Sequence, residues 1–279
     1  MVAKRKKNRF SQNPNANRMS ITIVITLIVS GLVVGFINTL SAGGTTISIA
    51  LYLALGLPPS EANATNRIGV ILQSTLPAAM CARKGLLKNT GTPHLAIFTM
   101  LGALAGSILS LVLPQHIFSY AMGASLMMML FFIFSSPKSF EKDDEKKISE
   151  GLKPLHYAVF FLIGIYGGFV QVGTGFFLMA AGSMLLGFNI IKTNAMKSTI
   201  MAAYTVVAII VFMQSGNIDW QYGLLHSVGT LAGSYIATRL AFKKGAGFVR
   251  WIIIAVILFT SLYLFDIIDL NRIFQTLLR

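Results

Sequence analysis

The sequence predicts an all-α polytopic membrane protein. It is read as two homologous halves of four to five membrane segments each, with helices broken by glycine near the bilayer midplane. Three observations lead there. Apolar residues make up 54% of the 279-residue chain and its mean hydropathy is +0.71, where soluble domains hold about 45–50% apolar residues. Only 11% of the chain is charged, against about 25% in soluble domains. Long uncharged runs recur, two of them covering residues 19–57 and 154–191.

Residues 1–18 are polar, basic and rich in Asn, so a disordered cytoplasmic tail is expected there. The run that follows far exceeds the 7–15 apolar residues of a cleavable signal. It is also too long for one span of about 20 residues, and Ser41-Ala42-Gly43-Gly44-Thr45-Thr46 interrupts it. Further spans are expected at about 63–82, 93–113 and 117–134. The first repeat thus occupies 19–134. Residues 135–154 hold five Lys and five acidic residues, which marks a solvated linker. The second repeat follows at 155–268, with a C-terminal tail at 269–279.

The halves answer one another in order. Gly35-Phe36-Ile37-Asn38 matches Gly168-Phe169-Val170-Gln171, and Asn63-Ala64-Thr65-Asn66 matches Asn194-Ala195-Met196-Lys197. Gly102 to Ser107 matches Gly229 to Ser234. Offsets of 133, 131 and 127 residues drift only by short loops, which is the mark of an internal duplication. If each glycine break is a hairpin, the halves are inverted. If each is a kink within one span, they are parallel. Charge bias alone leaves both open.

The net charge of +14 suggests nucleic acid until it is located. Lys4, Arg5, Lys6, Lys7, Arg9 and Arg18 precede the first apolar run, and Arg83, Lys84, Lys88, Arg239, Lys243, Lys244 and Arg250 sit in loops. Such placement follows the positive-inside bias and favours an anionic lipid surface over nucleic acid. One cysteine, Cys81, excludes an internal disulfide, and no Cys/His cluster suggests a metal or other cofactor. No Asp or Glu falls inside an apolar span, which argues against a cation permease. No nucleophile–base pair points to an enzyme.

The charges nearest the membrane interior are basic: Arg67, Lys192 and Lys197. A cation at the centre of a membrane helix costs about 2.5–3.5 kcal/mol even on the gentler scale, so each needs compensation or a use. Lys192 lies at the start of its segment and can snorkel. Lys197 and Arg67 are the candidate charge partners of a small anion. The breaks supply a second component, because an interrupted helix exposes backbone N–H groups and a positive dipole end. Gly43, Gly44, Gly173 and Gly175 permit close backbone approach, while Asn38, Gln171, Thr174, Asn63 and Asn194 add neutral hydrogen-bonding groups. Ser41 and Thr45 can contribute in the same way. His226 is the one side chain deep in a span that titrates near neutrality. Gly102, Gly106 and Ser107 suit close helix packing. Alanine at Gly173 or Gly175 is therefore expected to impair transport more than alanine at Gly102.

The paired glycine breaks, the LGLPPSEANATN run and the SGNIDW and GTLAGSYIATRL elements resemble the TauE/SafE family of sulfite exporters and related permeases, across about residues 20–265. The resemblance implies a multi-pass bacterial inner-membrane permease for sulfite or organosulfonate anions. Membrane voltage alone expels an anion, by about 2.3 kcal/mol per charge per 100 mV, so export by alternating access is the expected direction. The remaining alternative is a membrane accessory or assembly protein that transports nothing. Expected partners are the small anion and the bilayer.

Overall fold

The computed structural model describes residues 20–88, 90–113, 120, 143–144, 147–148, 151–264, 274 and 276. The tails at 1–18 and 269–279, the span at 117–134 and the linker fall outside them, apart from isolated residues. All regular elements among the described residues are helices.

Helix α1 is Ile21–Leu40 and α2 is Thr45–Ala54. Helix α3 is Pro59–Arg83, opened by Pro at its first turn, where the missing N–H costs nothing. Helix α4 is Thr92–Val112, preceded by Gly91 in the left-handed region (φ 67°). Helix α5 is Pro154–Phe169, and α6 begins at Thr174–Ala180 and continues as a π-helical turn, Ala181–Leu185. Helix α7 is Ile190–Gln214, capped by the Asn189 side chain, which accepts from the Ile191 and Lys192 N–H groups. Helix α8 is Trp220–Leu264, bent at Gly245 (φ 74°).

Helices α1, α4 and α7 are long and apolar enough to cross a membrane. Large apolar side chains cover the outer faces of α1 (Ile25, Val29, Leu32) and α4 (Ile97, Leu101, Ile108). Polar and charged groups turn inward: Arg67, Lys197, Asn63, Gln171 and His226 are all at most 1% exposed. This inside-out polarity is what a lipid solvent selects.

The main helix pairs join early helices to late ones: α1 packs on α8, α4 on α5, and α3 on both α7 and α8. Small residues bring these backbones together. A methyl group added at Gly31 would lie 2.2 Å from the His226 carbonyl oxygen, and one at Gly35 would lie 2.1 Å from that of Thr230. The order of these contacts sets α1 parallel to α8. Gly164 against Thr99 and Gly168 against Ala103 set α5 parallel to α4 in the same way. Helix α3 runs with α8, since Thr65 bonds Asp219 and Gly69 bonds Thr230. It runs against α7, since Arg67 covers the Phe212 ring while Cys81 and Asn194 line one cavity at the other end.

Gly102 is less tolerant than the sequence suggested. A methyl group there would lie 2.1 Å from the Phe161 carbonyl oxygen, a clash with backbone that a side-chain rotation cannot relieve. Alanine at Gly102 therefore separates α4 from α5, and it is no mild control for the breaks.

Candidate functional site

Each interruption is a reversal of the chain rather than a kink. At the first, Asn38 bonds Thr45 twice: its Oδ1 accepts from the Thr45 N–H (3.2 Å) and its Nδ2 donates to Thr45 Oγ1 (3.3 Å). Helix α2 then folds back along α1, so that Ser48 comes level with Gly31 beside His226. At the second, the Tyr166 hydroxyl donates to the Val172 carbonyl and its ring meets Phe177 edge-on. Thr174 Oγ1 donates to the Gln171 carbonyl, 2.8 Å away. Gly173 adopts φ 77°, and Gln171 adopts φ 66°, the one non-glycine in the left-handed region among the described residues. A side chain held there costs of order 1–3 kcal/mol and persists only where its surroundings impose it.

The two buried cations serve these reversals crosswise. Lys197, on α7, donates from Nζ to the carbonyls of Asn38 (2.9 Å), Thr39 (3.2 Å) and Ser41 (2.5 Å) at the end of α1. Arg67, on α3, donates to the carbonyls of Gly167 (3.1 Å) and Gly168 (2.6 Å) at the end of α5. Both therefore meet the negative end of a helix dipole, where terminal carbonyls lack helical partners. The two asparagines repeat the exchange. Asn63 Nδ2 donates to the Phe169 carbonyl (3.1 Å) and Asn194 Nδ2 to that of Leu40 (3.3 Å).

The breaks touch one another. A methyl group at Gly175 would meet the Ala42 Cβ at 2.6 Å and the Lys197 stem at 3.5 Å. A methyl group at Gly44 would lie 2.9 Å from the Val34 carbonyl oxygen and 3.0 Å from Asn38 Oδ1, and Gly43 accepts from the Thr46 N–H.

Their chemistry differs. An ammonium has three N–H donors, and Lys197 spends all three on carbonyls. Both ends of the Asn38 amide are bonded. Around the first break the atoms without a protein partner are Asn194 Oδ1 and Thr46 Oγ1. Lys197, expected as a charge partner of the anion, bonds three backbone carbonyls in the structure. Around the second break, both ends of the Gln171 amide, Arg67 Nε, Asn63 Oδ1, and the hydroxyls of Tyr204 and Thr205 make no hydrogen bond within the protein. The Tyr204 hydroxyl faces the Gln171, Thr174 and Thr205 side chains. Gly167 brings the Tyr204 ring and Thr174 together. Arg67 lies 4.6 Å over the Phe212 ring, which fixes its guanidinium from behind.

Tyr204 and Thr205 went unread in the sequence. A usable signal was there, because Tyr204 follows Lys197 by seven residues and so shares its helix face. His226 packs beside Tyr52, ring centroids 5.5 Å apart, with Ser48 Oγ 3.5 Å from its Nε2. Lys192 lies in the first turn of α7 and pairs with Asp143 at 2.5 Å. No group of residues among those described is arranged to hold a metal ion.

Comparison with known proteins matches residues 27–264 to the family described as Sulfite exporter TauE/SafE. The chain is 26% identical to a probable membrane transporter protein, ORF9, of Sinorhizobium sp. over 82% of its own length and 87% of the relative's. It is 26% identical to a probable membrane transporter protein of Haemophilus influenzae, covering 89% and 97% of the two chains. The probable membrane transporter protein YfcA of Escherichia coli K12 is 24% identical, covering 81% and 83%. No solved structure matches the chain.

Proposed function

The chain belongs to the sulfite exporter TauE/SafE family, and from that membership we propose that it carries small sulfur oxyanions, sulfite or organosulfonates, outward across a bacterial inner membrane. The observation that carries this reading is the set of unpartnered, fully buried polar groups around Gln171. Such groups cost about 1–3 kcal/mol each when nothing meets them, and here they converge with a guanidinium. Gln171, Tyr204, Thr205 and Arg67 supply N–H and O–H donors in place of an anion's hydration shell, while Thr174 holds the turn through its bond to the Gln171 carbonyl. Gly173 and Gly175 keep the backbone close. Lys197, Asn38, Gly43, Gly44 and Asn194 act one step removed, holding the first break against the second.

The crosswise pairing supports two homologous halves of opposite orientation. Exchanging the halves maps α1 on α8 onto α5 on α4, and it maps Lys197 on the end of α1 onto Arg67 on the end of α5. Because α3 and α7 run antiparallel, the axis relating the halves lies in the membrane plane, as in inverted-repeat transporters. Rocking of one half against the other would then expose the meeting point of the breaks, near the midplane, to each side in turn. Voltage drives the anion outward without a separate proton relay. On this reading the basic N-terminal tail is cytoplasmic.

The test is efflux of labelled sulfite from proteoliposomes loaded with it, with a set inside-negative voltage. Saturable efflux that quickens with voltage and is inhibited by sulfonates is expected. Absence of flux in folded protein would overturn the permease reading in favour of an accessory membrane protein.

A further inference from the structure

The unpartnered atoms of the second break are of two kinds. Arg67 Nε can only donate, and the Tyr204 and Thr205 hydroxyls can donate or accept. Asn63 Oδ1 can only accept, and its sense is fixed because Nδ2 donates to the Phe169 carbonyl. The Gln171 amide presents one donor end and one acceptor end whichever way it is turned, and both are open. An anion offering nothing but lone pairs would satisfy the donors. It would also set its negative charge against two buried amide oxygens, the arrangement a buried site tolerates least. Charge gives a second constraint. Arg67 is the one cation bordering this cluster among the described residues, because Lys197 is spent on the first break. One negative charge is matched there, and a second is not.

We infer that this cluster selects a monovalent oxyanion that carries its own O–H or N–H donor, and that Gln171 and Asn63 are the residues that read that donor. Hydrogensulfite and hydroxylated sulfonates fit the description, while sulfate and sulfonates with purely alkyl substituents do not. The inference rests on the second break being the anion site. It adds the requirement for a donor on the ligand, which a merely basic pocket would not impose. Sites built to bond a ligand hydroxyl discriminate strongly against analogues lacking it, because their own polar groups are then left unmet.

The test compares ethanesulfonate with 2-hydroxyethanesulfonate, which share one charge and differ by one hydroxyl, with sulfate as the dianion. Each is assayed as inhibitor of labelled sulfite efflux and by thermal stabilisation of the purified protein. In wild type the hydroxylated compound should be at least tenfold more potent, about 1.4 kcal/mol, and sulfate the weakest. Gln171→Gly keeps the left-handed backbone without the amide, and Gln171→Met keeps side-chain bulk. In both, the preference should shrink below threefold by either readout. Equal potency of the pair in wild type, including no effect of either, would overturn the inference, as would an undiminished preference in both variants. No sulfite flux in wild type would instead overturn the proposed transport function.

Discussion

The two chain reversals share a plan and differ in what they leave open. In each, a helix ends, the chain turns back, and a cation from the other half of the sequence closes on the exposed carbonyls. At the first, Lys197 gives all three of its N–H donors to carbonyls and both ends of the Asn38 amide are bonded. At the second, Arg67 covers two carbonyls and keeps Nε unmet, while neither end of Gln171 finds a partner. One backbone device thus serves two ends. The first copy leaves only Asn194 Oδ1 and Thr46 Oγ1 unmet and the second leaves more, and it is the second that the proposed function assigns to the ligand. The strained φ of Gln171 falls on the second copy, the one proposed to hold the ligand.

The largest effect that would sharpen this contrast comes from the cations. Arg67→Met and Lys197→Met each strip a buried cation from its carbonyls, and each should cost about 1–3 kcal/mol for every carbonyl left unmet. Their binding phenotypes should separate. Sulfite should still raise the melting temperature of Lys197→Met, whereas Arg67→Met should show no ligand-dependent shift and under about 1% of wild-type flux. A preserved shift in Arg67→Met would erase the distinction between the breaks.

Next comes Gln171→Gly. Losing a hydrogen bond to a charged ligand is worth about 1.5–3 kcal/mol, so the apparent Kd for sulfite should rise by about ten- to a hundredfold. Thermal stability without ligand should hold or increase, since glycine accepts a positive φ freely. A loss of stability with unchanged affinity would make Gln171 a structural residue. Asn38→Ala should do the opposite. It removes the side chain that meets the Thr45 N–H and should cost about 1 kcal/mol, with sulfite affinity unchanged within twofold by direct binding.

The smallest effect is expected at Lys192. Its pair with Asp143 is about a quarter exposed, with side chains 30% and 24% accessible, so Lys192→Ala should cost under about 1 kcal/mol. Efflux should stay within twofold of wild type. A larger loss would place the site at the membrane boundary rather than at the breaks.

The membrane class, an interruption at Ser41–Gly44 and the buried Arg67 and Lys197 were legible in the sequence, while the second interruption falls at Val170–Gly173, with Thr174 and Gly175 already helical. Composition, glycine spacing and stray charges report such features directly. The roles of Lys197 and Arg67 were not legible. Register shows that a cation enters the interior but not what its tip reaches, and both tips end on carbonyls that every residue carries. For the same reason the sequence, which placed Gly175 above Gly102, lacked the contacts that decide between them. Each is a glycine in an apolar run, and only the neighbour decides: the Phe161 carbonyl for one, the Ala42 methyl for the other. Hairpin and kink were likewise indistinguishable until the Asn38–Thr45 bonds and the level of Ser48 showed the chain turning back.

The most direct test of the contrast between the breaks is equilibrium binding of labelled sulfite to purified wild type, Gln171→Gly and Asn38→Ala in one detergent. The account predicts saturable binding in wild type, the same affinity in Asn38→Ala, and affinity weakened tenfold or more in Gln171→Gly. Binding that survives in Gln171→Gly but fails in Asn38→Ala would contradict it, and would move the ligand to the first break.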